Sequence, residues 1–329
     1  MKRFIAKRFV YMIFTVWIIT LISFIVIQLP PGDYVSNLVS QMVAQGVDEV
    51  PPEVIAQLRA TYGLDQPIYV QYFKWMRNVI TQGNFGYSFT FQRDAGEIIG
   101  QRLPMSMAIS LGSVLFIWVV ALPVGVFSAV RKYTLGDHIA TFFGFIGLAV
   151  PNFLLALILM YISYRYYGQA LLGLFSSEYT NAPWSVEKFF DLLKHLWIPI
   201  IILGTSGTAG LIRTMRANLL DELNKPYVDT ARAKGLRERV LLWKYPVRHA
   251  LNPFISTIGW VLPSLVAGEV IVSIVLNLPT SGPVLFNALL SQDMYVASGF
   301  ILVLSTLTVI GTFLSDLALA WLDPRIRLE

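Results

Sequence analysis

The sequence predicts an all-α integral membrane protein of six transmembrane helices with both termini cytoplasmic, and three observations predict it. Hydrophobic residues make up 55% of the 329 and charged residues only 14%, where a soluble domain carries about a quarter charged. The apolar residues gather in six runs, on the scale of the ~20 residues that a helix needs to cross a bilayer. Finally, 17 of the 25 Lys and Arg fall on the four segments that this arrangement puts inside, and 8 on the longer outside segments. That is the bias expected of a multi-pass membrane protein.

Lys2, Arg3, Lys7 and Arg8 precede an apolar run from Phe9 to Leu29. The run is too long for the apolar core of a secretory signal, and no small-residue cleavage site follows. It reads as a retained first helix with its N-terminus inside, and Pro30-Pro31-Gly32-Asp33 then turns the chain. From Pro31 to Arg102 the chain is polar enough for water yet patterned. Pro52 to Tyr62 has helical character with Gly63 as a cap. After Pro67, residues Ile68, Tyr72, Trp75, Met76 and Val79 share one helical face before Gly83, so two amphipathic helices are predicted outside the membrane.

Apolar stretches from Met105 to Val130 and from Ile139 to about Tyr164 follow, joined by a charged turn through Arg131-Lys132 and Gly136-Asp137. Pro123 and Pro151 interrupt them, a break that membrane helices tolerate where neighbours or water satisfy the freed carbonyls. Pathway-lining helices are often broken so, which makes Pro151 and Asn152 pathway candidates, and a kink used only for packing is the other reading. An external loop from Tyr166 to His195 carries a short amphipathic segment, Val186 to Leu193, and Leu196 to Leu211 returns to the inside. Gly204, Gly207 and Gly210 have no Lys-Ser/Thr after them and make no phosphate loop. At a spacing of three on an apolar helix they are predicted to be close-packing positions.

A cytoplasmic loop from Arg213 to about Asn252 leads to a fifth helix, Pro253 to Leu276, which contains Trp260 and Glu269. Asn277 to Pro283 is a rigid external turn or re-entrant loop, and Val296 to Leu322 is the sixth helix. Residues 1–30 therefore form the cytoplasmic N-terminus and first helix, 31–102 an extracytoplasmic helical segment, and 103–329 a transmembrane domain whose cytoplasmic loop is 213–252.

Composition excludes several chemistries. The chain has no Cys, and His138, His195 and His249 make no metal-ligand spacing. It has neither a Gly-x4-Gly-Lys-Ser/Thr loop nor a soluble βα alternation, so the sequence offers no phosphate-loop ATPase site of its own. Glu269 and Asp316 are the carboxylates inside apolar spans, and such groups are functional candidates unless a neighbouring helix satisfies them. Trp75, Trp184, Trp260 and Tyr295 suit sugar stacking, and equally the aromatic belts of a membrane interface. The net charge of +5 follows membrane side, which points to topology and not to nucleic acid.

One stretch is compact, polar and patterned: Pro226 followed by Tyr227-Val228-Asp229-Thr230-Ala231-Arg232-Ala233-Lys234-Gly235-Leu236. Pro226 can open a helix where a missing N–H costs nothing, and Gly235 can close it in the left-handed conformation, leaving about two turns. Ala231 and Ala233 offer small surfaces for close approach by a partner, ringed by Arg232, Lys234, Arg237 and Arg239.

Asp229-Thr230-Ala231, three residues and Gly235 resemble the cytoplasmic coupling motif of ABC importer permeases, Glu-Ala-Ala-x-x-x-Gly, in the Thr-Ala-Arg-Ala-Lys-Gly-Leu form of the oligopeptide/dipeptide/nickel branch. Gly63-Leu64-Asp65-Gln66-Pro67, Gly83 to Ser88, Arg102-Leu103-Pro104 and Asp323-Pro324-Arg325 resemble the same branch, with Asn84 where Asp is usual and Thr280 where the family has Gly. The resemblance implies a cell-membrane permease subunit without catalytic residues or a cofactor of its own. It also implies a second permease, two cytoplasmic ATPases that bind ATP and magnesium, and an extracytoplasmic solute-binding protein. Asp229 would cap or salt-bridge within the motif, Ala231 permit close approach, and Gly235 set the turn. Peptides, nickel complexes and oligosaccharides are substrates of such branches. A secondary transporter would show an inverted repeat and intramembrane ion ligands, and a channel would have no use for the motif.

Overall fold

Pro151 removes a helical N–H and pushes the residue before it out of the α region, and the chain changes direction sharply there. In the computed structural model, which describes residues 2–46, 50–168, 172–180, 182–252, 254–255 and 269–322, α6 (Leu135–Ala149) ends at an extended Val150 and α7 (Asn152–Tyr167) restarts after Pro151. The two meet at 99°. The apolar stretch from Ile139 to Tyr164 is thus a bent pair and not one interrupted helix.

The other helices are α1 (Lys2–Ile27), α2 (Tyr34–Ala44), α3 (Pro52–Tyr62), α4 (Ile68–Gln82), α5 (Ala95–Val130), α8 (Val186–Leu223), α9 (Pro226–Ala233), α10 (Glu238–Lys244), α11 (Pro246–Ala250), α12 (Ser281–Leu290) and α13 (Met294–Leu322). Among the described residues a two-residue antiparallel ladder, β1 (Tyr87–Ser88) with β2 (Arg93–Asp94), is the strand pairing that joins the helices. Among the described residues four helices, α1, α5, α8 and α13, are long and apolar enough to cross a membrane, and the bent pair makes a fifth candidate. The predicted fifth helix falls largely outside the described residues, as do Trp260 and the tail from Asp323; residues 269–275 of that helix are helical.

The chain divides into two compact units. One comprises residues 2–105 and 280–309. Phe24, Tyr72, Trp75, Ile98 and Phe300 form its core, fastened by a Thr20–Tyr72 hydroxyl contact of 3.1 Å and by Trp75 Nε1 donating to the Phe85 carbonyl at 2.9 Å. The expected amphipathic face of α4 is largely confirmed, but Ile68, at the first turn, is exposed. Gly63 and Gly83 cap α3 and α4 in the left-handed region, with φ of 69° and 64°. The helix α2 was not expected from sequence. Asp33 caps it by accepting from the Ser36 N–H at 2.7 Å, and Arg59 Nε of α3 donates to the other carboxylate oxygen at 2.7 Å. Burial raises the Asp33 carboxyl, and the hydrogen bonds from Ser36 and Arg59 more than reverse it, leaving it below its ordinary range. Asp293, wholly buried, accepts from Ser88 Oγ at 2.6 Å and from the Thr90 N–H at 3.1 Å, so it fixes the β1–β2 turn to the start of α13.

The other unit comprises residues 106–279 and 310–329, organised around α8. Sequence split α8 into an amphipathic segment, a span and the start of a loop; the structure joins all three through Pro199, which is buried within the helix. Likewise α5 begins at Ala95, ten residues before the predicted stretch. Close packing explains two of the three glycines singled out on α8. A Cβ at Gly204 would stand 2.5 Å from Phe116 and one at Gly207 2.6 Å from Ile117, whereas Gly210 faces open space and is not a packing position.

Candidate functional site

The 38-residue helix α8 ends at Leu223, and after Asn224 and Lys225 the chain opens α9 with Pro226 at its first turn. Proline is favoured there because its lost N–H has no intrahelical partner in any case. Glu222, in the last turn of α8, grips the junction. One carboxylate oxygen accepts from Lys225 Nζ at 2.5 Å and the other from the Tyr227 hydroxyl at 2.5 Å. Burial first, and then this hydrogen bond and the charge of Glu222, push the Tyr227 phenol well above its ordinary range, so it stays a donor. The Tyr227 ring also lies 5.8 Å from that of His249 on α11, which packs against α8. A short helix is thereby fastened at its N-terminal end to a long one.

The C-terminal end closes on glycine. Gly235 has φ of +76°, its N–H donates to the Arg232 carbonyl at 2.9 Å, and the Leu236 N–H reaches back to the Ala231 carbonyl at 3.3 Å. This pair of bonds is the Schellman arrangement, which satisfies carbonyls left open at a helix end and needs a left-handed residue at the turn. Leu236 then folds onto a small core of Val228, Ala231 and Leu241.

That core corrects one expectation. Ala231 is buried against its own loop, so its small side chain admits α10 and not an external partner. The outward face of α9 carries Asp229, Thr230, Ala233 and Lys234. Asp229 makes an exposed ion pair with Arg232 at 3.4 Å and does not cap the helix, whose N-cap is Lys225. Arg232 is held more firmly by Glu238, at 2.7 Å, and that hydrogen bond keeps its guanidinium above its ordinary range. Thr230 Oγ donates to the Pro226 carbonyl at 2.9 Å.

The residues proposed to line a pathway lie elsewhere. Pro151 and Asn152 form the break between α6 and α7. Glu269 is buried and accepts from Ser106 Oγ of α5 at 3.0 Å, an interhelical bond.

Sequence reasoning missed one cluster. Asp137, read only as part of a charged turn, is buried, and Arg216 of α8 donates to its two oxygens from Nε at 2.9 Å and Nη2 at 2.8 Å. Ser128 Oγ, the Tyr133 N–H and, at 3.5 Å, Thr141 Oγ1 also donate to it. The turn between α5 and α6 is thus clamped to α8. The partners are 79 residues apart, and nothing local in the sequence announces such a pair.

Residues 121–328 match the family described as the binding-protein-dependent transport system inner membrane component. Residues 1–110 match the N-terminal region of that system's membrane component. The chain belongs to this family. It is a multi-pass permease component and not an enzyme. Among its relatives are the oligopeptide transport system permease protein AppB of Bacillus subtilis, 35% identical with 94% of each chain covered, and the di/tripeptide transport system permease protein DppB of Pseudomonas aeruginosa, 32% identical over 99% of each. The dipeptide transport system permease protein DppB of Escherichia coli is 29% identical over 99% of each chain.

Proposed function

We propose that this permease forms half of the translocation pathway of an ATP-driven peptide importer and receives its power stroke through the α9 segment, Asp229 to Leu236. The carrying observation is mechanical: an exposed two-turn helix, closed by a left-handed glycine, is tied through Glu222, Lys225 and Tyr227 to the end of a 38-residue helix. A docked ATPase that displaces α9 would therefore move α8. The Asp137–Arg216 clamp would carry the α5–α6 turn with it.

In this reading the chain pairs with a second, similar permease, two cytoplasmic ATPases and an extracytoplasmic solute-binding protein. ATP and magnesium belong to the ATPases, and the permease itself holds no cofactor. The membrane domain has six helices with both termini inside, the segment 31–102 lies outside, and Pro151, Asn152, Trp260 and Glu269 remain pathway candidates. Peptide as the substrate is supported by the relatives' names. The aromatic residues also suit an oligosaccharide, and a nickel complex is the other alternative for the same architecture.

Reconstituting the permease with its partner subunits and binding protein in vesicles tests both claims. Peptide should stimulate ATP hydrolysis and accumulate inside; stimulation by an oligosaccharide or a nickel complex alone would overturn the substrate, and nucleotide hydrolysis by the isolated chain would overturn the division of labour.

A further inference from the structure

A groove of about 290 Å³ runs between α6 and α8. Its walls along the helices are mostly apolar, with Ala140, Gly144, Phe145 and Leu148 on α6 and Ala209 and Ile212 on α8. From residue 140 to residue 148 the α6 wall extends about 12 Å at the helical rise. Gly144 marks the open part. Its φ is not left-handed and a Cβ built there meets no atom within 4 Å, whereas one at Gly147 would stand 3.1 Å from Thr205. Glycine at 144 is therefore required neither by backbone conformation nor by the chain's own packing.

One end of the groove is charged. Asp137 and Arg216, both in its wall, neutralise one another at 2.8 Å. Arg213, also in the wall, is exposed and has no carboxylate partner among the described residues. It stands just past the apolar run that ends at Leu211, where a membrane helix reaches the headgroup region. His138 and Tyr133 lie at the same end. Phe145 lines the groove as well, and it is exposed together with Phe142 and Phe143 beside it, a surface suited to contact with lipid.

We infer that this groove binds one acyl chain of an anionic phospholipid, with the phosphate at Arg213. A slot opened by Ala140, Gly144 and Ala209 between larger apolar side chains accepts a single flexible chain, and basic pockets between transmembrane helices recognise anionic headgroups. A helix of a neighbouring subunit fits the observations less well, since it would need a carboxylate placed opposite Arg213 and a narrow ridge to enter the slot. The inference depends only on α6 and α8 lying in a bilayer and not on the role assigned to α9.

The test is native mass spectrometry of the assembled importer, released from bilayers of phosphatidylglycerol or of phosphatidylcholine. The wild-type complex should retain a phosphatidylglycerol adduct in preference to phosphatidylcholine. Arg213→Gln should reduce that preference about fivefold, the worth of one basic residue at an anionic surface. Gly144→Leu, which fills the slot, should cut retention of the adduct about tenfold, as the loss of roughly two buried methylenes would, and Gly144→Ala should fall between. Assembly with the ATPase subunits, checked by pull-down, should be unchanged in all three. Phosphatidylglycerol retention indifferent to Gly144→Leu would overturn the acyl-chain site, even if Arg213→Gln weakened a headgroup or free-phosphate contact. Cross-linking of a Gly144→Cys variant to the second permease subunit would overturn it too, by showing a protein in the groove.

Discussion

Replacing Gly235 is expected to uncouple transport without unfolding the permease. The residue has φ of +76° and a Cβ there would meet nothing within 4 Å, so a substitution clashes with no neighbour and its cost is backbone strain alone. A Cβ in the left-handed region costs about 1–2 kcal/mol, Asn somewhat less because its short polar side chain tolerates that region, and a β-branched residue more. The helix it closes has eight residues, too short to be stable on its own. It is held by the Schellman bonds, by the grip of Glu222 and by the core of Val228, Ala231 and Leu241. Losing about 1.4 kcal/mol there shifts the local closed-to-frayed ratio about tenfold. The helices long enough to cross the membrane are untouched. Coupling, read as substrate-stimulated ATP hydrolysis and uptake in reconstituted vesicles, should therefore fall in the order Gly, Asn, Ala, Val, with expression and membrane insertion unchanged. Full coupling in Gly235→Val would refute the role of this turn. An Asn variant as poor as Val would refute the backbone account and assign the effect to side-chain size.

Ala231→Leu should also weaken coupling, because overfilling the Val228–Leu241 contact costs about 1–3 kcal/mol and pushes α10 off α9; hydrogen exchange of residues 226–244 should accelerate, and an unchanged exchange rate would contradict the burial of Ala231. Arg216→Met strands the buried Asp137 carboxylate, a loss of about 3 kcal/mol at the low end for broken buried pairs, since Arg216 is partly reached by solvent; Asp137→Asn with Arg216→Met should recover most of it in thermal unfolding, and no recovery would argue against the clamp. The lowered Asp33 carboxyl stabilises the α2–α3 contact above the unfolded value of about 4 and loses that contribution as pH falls through the lower folded value. Proteolysis of residues 34–62 should therefore quicken below about pH 4 in the wild type, and Asp33→Asn should remove that pH dependence.

Elements governed by local rules were legible in the sequence. Gly63, Gly83 and Gly235 signal helix stops because few other residues accept positive φ, and each sits in the left-handed region. The amphipathic face of α4 followed from period alone. What was hidden depends on contacts distant in sequence. The reading broke α8 where polarity changed, yet its polar residues are locally satisfied: Lys188 Nζ donates to the Ala182 carbonyl at 2.6 Å and Asp191 accepts from Ser176. Helical geometry had no reason to stop there. The direction of Ala231 was misjudged because it depends on α10 folding back, a tertiary event without a signature in the motif. The partnership of Asp137 with Arg216 was invisible for the same reason: each charge taken alone is an ordinary loop or interface residue.

In the coupling proposed above, the exposed face of α9 meets a separate ATPase on the cytoplasmic side. Because the chain has no cysteine, a single Ala233→Cys places one thiol on that face. In intact vesicles of the assembled importer, a short membrane-permeant bismaleimide should join it to the ATPase subunit, while an impermeant maleimide added outside should label Gln45→Cys and leave Ala233→Cys untouched. Outside labelling of Ala233→Cys, with no cross-link to the ATPase, would contradict the account.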